Sequence, residues 1–245
     1  PKSYSRKRAY SFEYYLNMIH KVLDMGLNWY QLPNIKGYGL NKNNIPENHY
    51  KTIADMHLLW STDKIYEEAF NMFLKNNYHK IKDIKRNKKL NLFIDSTFIF
   101  NKLGTENVAH CYAYKKKKAL KFSHICDDVM APLSVHIFDN PKRNDVIDIQ
   151  NTLNLIPVEF NENIKINLIG DKGYVTSKAY YIKNKKINVV YPQRINQSRT
   201  SLKNKRLLKK RNVIERAFAQ IKKRHNICLF STRLVSTYTG FLYLT

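Results

Sequence analysis

Apolar side chains recur at helical spacing in two N-terminal stretches. Over residues 11–32, "FEYYLNMIHKVLDMGLNWYQL" puts Tyr15, Ile19, Val22 and Leu23 on one stripe, the pattern of a helix that buries one face. Over residues 50–76, "TIADMHLLWSTDKIYEEAFNMFL" repeats it with Ile53, Met56, Leu59 and Trp60. Between them "PNIKGYGLNKNNIPEN" is a loop by its glycine, proline and asparagine content. After them "HKIKDIKRNKK" has the composition of a linker. This predicts a small all-helical N-terminal domain over 1–85.

Past the linker the period changes. "LNLFIDST" is a short apolar run of strand formers that ends in a carboxylate. "KALKFSHICDD" and "APLSVHIFD" predict a hairpin or meander joined through Asp127-Asp128-Val129-Met130. "DVIDIQNTLNLI" predicts a helix, "KINLIGDKGY" a second buried strand ending in a carboxylate, "SKAYYIKNKK" a helix and "INVVYP" a strand. A terminal helix over "RNVIERAFAQIKKRHN" completes an α/β domain at 86–245, a mixed sheet with helices on its faces.

Charge narrows the choice of partner. The 245 residues carry 43 lysines and arginines against 19 acids, a formal charge of +24. Residues 1–85 hold thirteen basic and eight acidic side chains, and the rest hold thirty and eleven. A field so positive and so lopsided calls for a polyanion, of which nucleic acid is the commonest. Three scattered cysteines fit a reducing, intracellular setting, and no apolar run reaches the roughly 18 residues of a membrane span. The chain starts at Pro1 and stops at "GFLYLT", as a segment cut at both ends would. No glycine-rich phosphate loop suggests ATP, and no histidine pairs with cysteine at zinc spacing. Trp29 and Trp60 are expected to pack helices, and "YKKKK" at 114–118 reads as a solvated loop.

Three acids stand out against this background. Asp95 and Asp171 each close an apolar strand, at the end where ligands gather in open α/β sheets. Either could instead cap a turn, as "DST" and "DKGY" allow. From Lys172 onward the chain has eighteen lysines and arginines and one acid, Glu215. At about 100° per residue, Arg211, Glu215 and Lys222 line one margin of the stripe formed by Val213, Ile214, Ala217, Phe218 and Ile221. An Arg211–Glu215 pair worth roughly 0.3–0.5 kcal/mol would account for the glutamate alone. A convergence of Asp95, Asp171 and Glu215 on two divalent ions accounts for all three acids, since the cations offset their repulsion.

"LNLFIDST", "INLIGDKGY" and "RNVIERAFAQIKK", in that order, resemble the Asp-Asp-Glu transposases of bacterial insertion sequences, groups four and five. Arg211, Glu215 and Lys222 match the family's third motif at its spacing, with Leu208 where the family has tyrosine. "NPKRND" is similar to its Asn-Asp element, which makes Asn144 and Asp145 auxiliary site residues. "GLNWYQLP" and "GFLYLT" are similar to its N-terminal helical segment and closing helix. The resemblance implies a ribonuclease-H-like catalytic domain in which Asp95, Asp171 and Glu215 hold Mg²⁺ or Mn²⁺, two ions in all. One ion would activate water for attack on a phosphodiester and the other would steady the leaving 3′-oxygen; the freed 3′-hydroxyl would then attack target DNA.

Arg211 and Lys222 would hold DNA phosphates or orient the carboxylate, and "KNKRLLKKR" and "IKKRH" would add Lys209, Lys210, Lys223 and Arg224, with Lys172 beside Asp171. Some 6–10 phosphate contacts would make binding fall ~10³–10⁵-fold between low and moderate salt. The implied partners are the double-stranded DNA of element ends and target, no membrane, and further copies of the chain in a dimer or larger multimer. The implied place is the bacterial cytoplasm, or the nucleus or a viral factory in another host. A stand-alone nuclease on this fold, or a decayed or domesticated transposase that only binds DNA, is the alternative.

Overall fold

A computed structural model describes residues 10–39, 49–81, 89–111, 117–192, 202–224, 226–229 and 232–245. The central strand is β1 (Lys89–Phe100), rich in β-branched and aromatic residues. It pairs antiparallel with β3 (Lys117–Asp127) on one side and parallel with β5 (Lys165–Ile169) on the other. The short β2 (Ala109–Cys111) and β4 (Pro132–Ile137) share the outer edge of β3, and β8 (Asn188–Val190) runs parallel to β5. This mixed six-stranded sheet, four strands joined by antiparallel pairing and two added in parallel, is flanked by helices and preceded by helices. The α/β, ribonuclease-H-like expectation is met.

Alternation along β1 and β3 divides the interior in two. Phe93, Ile99, Leu120 and Phe122 join a core with α1 (Phe12–Met25), α2 (Tyr50–Thr62), α6 (Asn212–Ala219) and α7 (Val235–Leu244). Leu90, Leu92, Ile94 and Ile125 face a second core with α3 (Ile65–Ile81), α4 (Ile149–Asn154) and Tyr174. The N-terminal helices thus share one continuous core with the first face of the sheet.

Several elements differ from the sequence reading. The helix expected over 11–32 stops at Met25, because Gly26 turns left-handed (φ 64°) and caps it; a 3₁₀ turn over Trp29–Asn34 follows. The second helix breaks at Lys64 (φ 58°) into α2 and α3. The helix expected over "SKAYYIKNKK" is instead a hairpin of β6 (Tyr181–Ile182) and β7 (Lys185–Lys186). Buried Tyr180 and Ile182 alternate with exposed Tyr181, which is strand period, and Lys183 turns the chain at φ 53°.

The basic approach to Glu215 is α5 (Leu202–Lys209), separated from α6 by a turn. The terminal helix is α-helical only to Ala219 and widens to a π turn over Gln220–Arg224. Of the stretch read as a solvated loop, Lys117 and Lys118 open β3, and 114–116 lie outside the described residues, as do 82–88 of the linker and 40–48 of the first loop.

Candidate active site

The parallel register of β1 and β5 ends at Phe93 opposite Ile169. Two residues further along each chain stand Asp95 and Asp171, so the register brings the two aspartates together where β5 ends; β1 runs on to Phe100, paired with β3, so Asp95 stands within its strand and not at the strand end expected from the sequence. Asp95 Oδ1 accepts the Ser96 N–H at 2.8 Å. Asp171 caps a 3₁₀ turn over Lys172–Tyr174, its Oδ1 accepting the Gly173 N–H at 2.6 Å. The turn-cap reading of Asp171 is therefore correct as geometry, and it leaves Oδ2 for another partner.

That partner comes from α6. Val213, Ile214, Ala217 and Phe218 are buried against the sheet, which fixes the helix beside β1. Arg211 Nη2 donates to Glu215 Oε1 at 2.8 Å, and its Nη1 lies 4.0 Å from Asp171 Oδ2. The i,i+4 pair is present, and its guanidinium also bridges to the strand-end acid. Asp95, Asp171 and Glu215 thus share one neighbourhood, with Arg211 between the last two.

The charge of this neighbourhood is unbalanced. Burial pushes the Asp95 carboxyl up to about 6, the Asp171 and Asp145 carboxylates add to the rise, and the Ser96 N–H and Arg211 oppose it. Lys222, on the π turn, donates to the Thr97 hydroxyl of β1, and burial lowers its pKa. Expected to hold DNA phosphates or to orient the carboxylate, this lysine reaches to the strand that carries Asp95.

Asp145 opens a 3₁₀ turn over Asp145–Asp148, and its Oδ1 accepts from the Ser96 hydroxyl and from Lys121 Nζ, the latter at 2.6 Å. A Cβ on Gly173 would meet Asp171 Oδ1 at 2.9 Å and Asp145 Oδ2 at 3.2 Å. Both carboxylates close over that glycine because it has no side chain. Asn144 is exposed at the N-cap of the same turn without a side-chain capping bond. Lys121, Ser96 and Gly173 carry no sequence signal of this role: a strand lysine, a serine and a turn glycine have commoner explanations.

Lys172, Lys209, Lys210 and Lys223 are exposed, and the Arg224 side chain lies outside the described residues. Lys209, Lys210, Glu215 and Arg216 line a groove of about 850 Å³ together with Asp128 and Val129. The groove thus gathers three cations, Lys209, Lys210 and Arg216, with two acids, Glu215 and Asp128.

Carboxylate oxygens fit a hard divalent cation. A carboxyl raised by burial and by two like charges also lacks the positive charge that such an ion brings. Glu215 is 52% exposed and engaged by Arg211. Among the described residues no three Asp, Glu, His or Cys side chains are drawn into a metal-binding group. The two aspartates offer donors of the kind such an ion takes, while Glu215 stands paired with Arg211.

The family model described as Transposase DDE domain matches residues 86–236, more than half of the chain. No curated protein and no solved structure matches it.

Proposed function

The chain belongs to the Transposase DDE domain family, and from this premise we propose that it cuts DNA at the ends of a mobile element and joins them to target DNA. The observation that carries the proposal is the β1/β5 register, which sets Asp95 beside Asp171 within reach of α6. Asp95, Asp171 and Glu215 are the catalytic acids in this reading, and all three would hold Mg²⁺ or Mn²⁺, two ions together. The ions would supply Lewis acidity for in-line attack on a phosphodiester.

The chain's own groups do the rest. Arg211 gives up Glu215 when a phosphate offers it a better bidentate partner. Lys209 and Lys210 hold the backbone along the groove, with Lys172, Lys223 and Arg224 adding charge around it. Lys222 keeps Thr97, and so β1, in place under α6. Residues 1–85 serve as a helical unit that recognises element ends, and 86–245 as the catalytic unit. Two or more copies assemble on paired ends, wherever the element's DNA resides.

Labelled element-end DNA incubated with a target plasmid, in Mg²⁺ or in EDTA, tests this. Cleavage and joined products that need the ion are expected, and Asp171→Asn should abolish both. Cleavage without joining would instead identify a nuclease, and binding alone a DNA-binding protein without catalysis.

A further inference from the structure

Lys121 is a lysine where β3 should be apolar. It is 5% exposed, on the sheet face opposite Asp95, and its ammonium lies 4.7 Å from the Phe138 ring and 5.3 Å from that of Phe98. A buried ammonium persists only when its charge is answered. Here the answer is Asp145 Oδ1 at 2.6 Å, with the Arg143 carbonyl accepting a second bond at 2.9 Å. The Ser96 hydroxyl donates to the same Asp145 oxygen. Both donors thus hold Oδ1, and Oδ2 is the oxygen turned to Gly173, next to Asp171 Oδ1.

A second observation marks this side of the site. The Tyr174 hydroxyl is buried beside the Ser96 hydroxyl, yet no hydrogen bond of normal geometry joins it to any of the described residues. Burial raises its pKa, Asp145, Asp95 and Asp171 are near enough to raise it further, and Ser96 opposes them. A buried donor without an acceptor is costly, and a bound water or phosphate oxygen would satisfy it.

We infer that Lys121 is a positioning residue of the site: it clamps one oxygen of Asp145, so that the other stands beside Asp171 as a fourth oxygen donor for divalent metal or its water. The inference rests on the functional reading above; it gives the auxiliary acid Asp145 a role at that site and adds its anchor, Lys121. It also has a counterintuitive sign. Removing a cation near a metal site tightens metal binding on Coulomb grounds alone. Losing an anchor of the ligand set weakens it.

Mn²⁺ binding to the full chain, followed by loss of the free-ion electron paramagnetic resonance signal, separates the two. Lys121→Met and Asp145→Ala should each weaken Mn²⁺ binding roughly tenfold or more. The double variant should match Asp145→Ala within about twofold, because Lys121 acts through Asp145. The double variant leaves no unpaired buried charge; Asp145→Asn, which keeps an oxygen for the Lys121 ammonium, takes the place of Asp145→Ala in that comparison if the alanine variant, with its stranded ammonium, fails to fold. Tighter or unchanged binding in Lys121→Met, or losses that multiply in the double variant, would overturn the inference. A parent chain that binds no Mn²⁺ would sink the functional reading and this inference with it, whereas a binding parent with an indifferent Lys121 would sink only the latter.

Discussion

Asp95 is maintained against the interest of the metal-free fold. Its carboxyl titrates at about 6 in the folded chain and near 3.8 when free, so the native state binds the proton more tightly. Above pH 6 both states are ionised, and the folded one bears the full cost of burying the charge. The difference is roughly 1–3 kcal/mol after allowing for partial solvent access. Asp95→Asn removes that cost and keeps an oxygen for the Ser96 N–H. In EDTA at pH 7.5 the variant should melt higher than the parent, by about 2–4 °C per kcal/mol, while losing ion-dependent cleavage. A calorimetric scan with no gain would mean that Asp95 is already compensated without metal. The two aspartates were legible in the sequence because each follows an apolar run long enough to be a buried strand, although β1 continues past Asp95 to Phe100 on its pairing with β3. Lys121 was not, because a strand lysine normally faces water and its partner Asp145 lies on a different element.

At the scale of elements, patterns with a strong period gave β1, β3, β4 and β5 where the apolar runs predicted them. Failures occurred where one backbone angle outweighed the pattern: Gly26 and Lys64 end helices whose apolar stripes continue, and Lys183 folds a predicted helix into a hairpin. The π turn after Ala219 was invisible for the same reason, since spacing alone assumes a constant 3.6 residues per turn. One turn that composition did predict is the β3–β4 connection, and its keystone can be tested. Asp127 is fully buried; its Oδ1 accepts the Val129 and Ala131 N–H groups at 3.0 and 2.9 Å, and its Oδ2 accepts the Tyr78 hydroxyl of α3 at 3.1 Å. Asp127→Ala strands these donors and should cost about 3 kcal/mol in urea unfolding. Because Asp128 and Val129 wall the groove at Glu215, the same variant should also weaken DNA binding; Tyr78→Phe, which leaves the turn's own bonds, should lower stability alone.

Across the whole molecule the decisive question is whether the N-terminal helices and the sheet fold as one body, and two buried histidines offer a way to ask it. His57 on α2 donates from Nε2 to the Thr237 carbonyl of α7 at 3.2 Å, so its Nδ1 must accept from the Tyr66 hydroxyl at 3.1 Å. His124 on β3, opposite Asp95 in register, donates from Nδ1 to the Ser134 carbonyl at 3.1 Å. Burial pushes both down to about 4, against about 6.5 in an unfolded chain. The unfolded state therefore binds more protons between these values, and stability falls as pH drops from about 6.5 towards 4. Each histidine removes on the order of 3 kcal/mol, a large part of the ~5–15 kcal/mol that holds a domain together. Acid should unfold the chain at a midpoint near pH 4–5. The +24 charge adds repulsion there, but added salt screens that part and not the burial of a charged imidazole. Both tryptophans, Trp29 and Trp60, lie in the helical unit, so their fluorescence reports the side of His57, whereas circular dichroism reports the whole chain. Because one apolar core runs from α1 and α2 through α6 to Phe93 and Phe122, the two probes should share a single midpoint that moves little with salt. Two separated midpoints would mean that the helical unit unfolds apart from the sheet, as independent domains do.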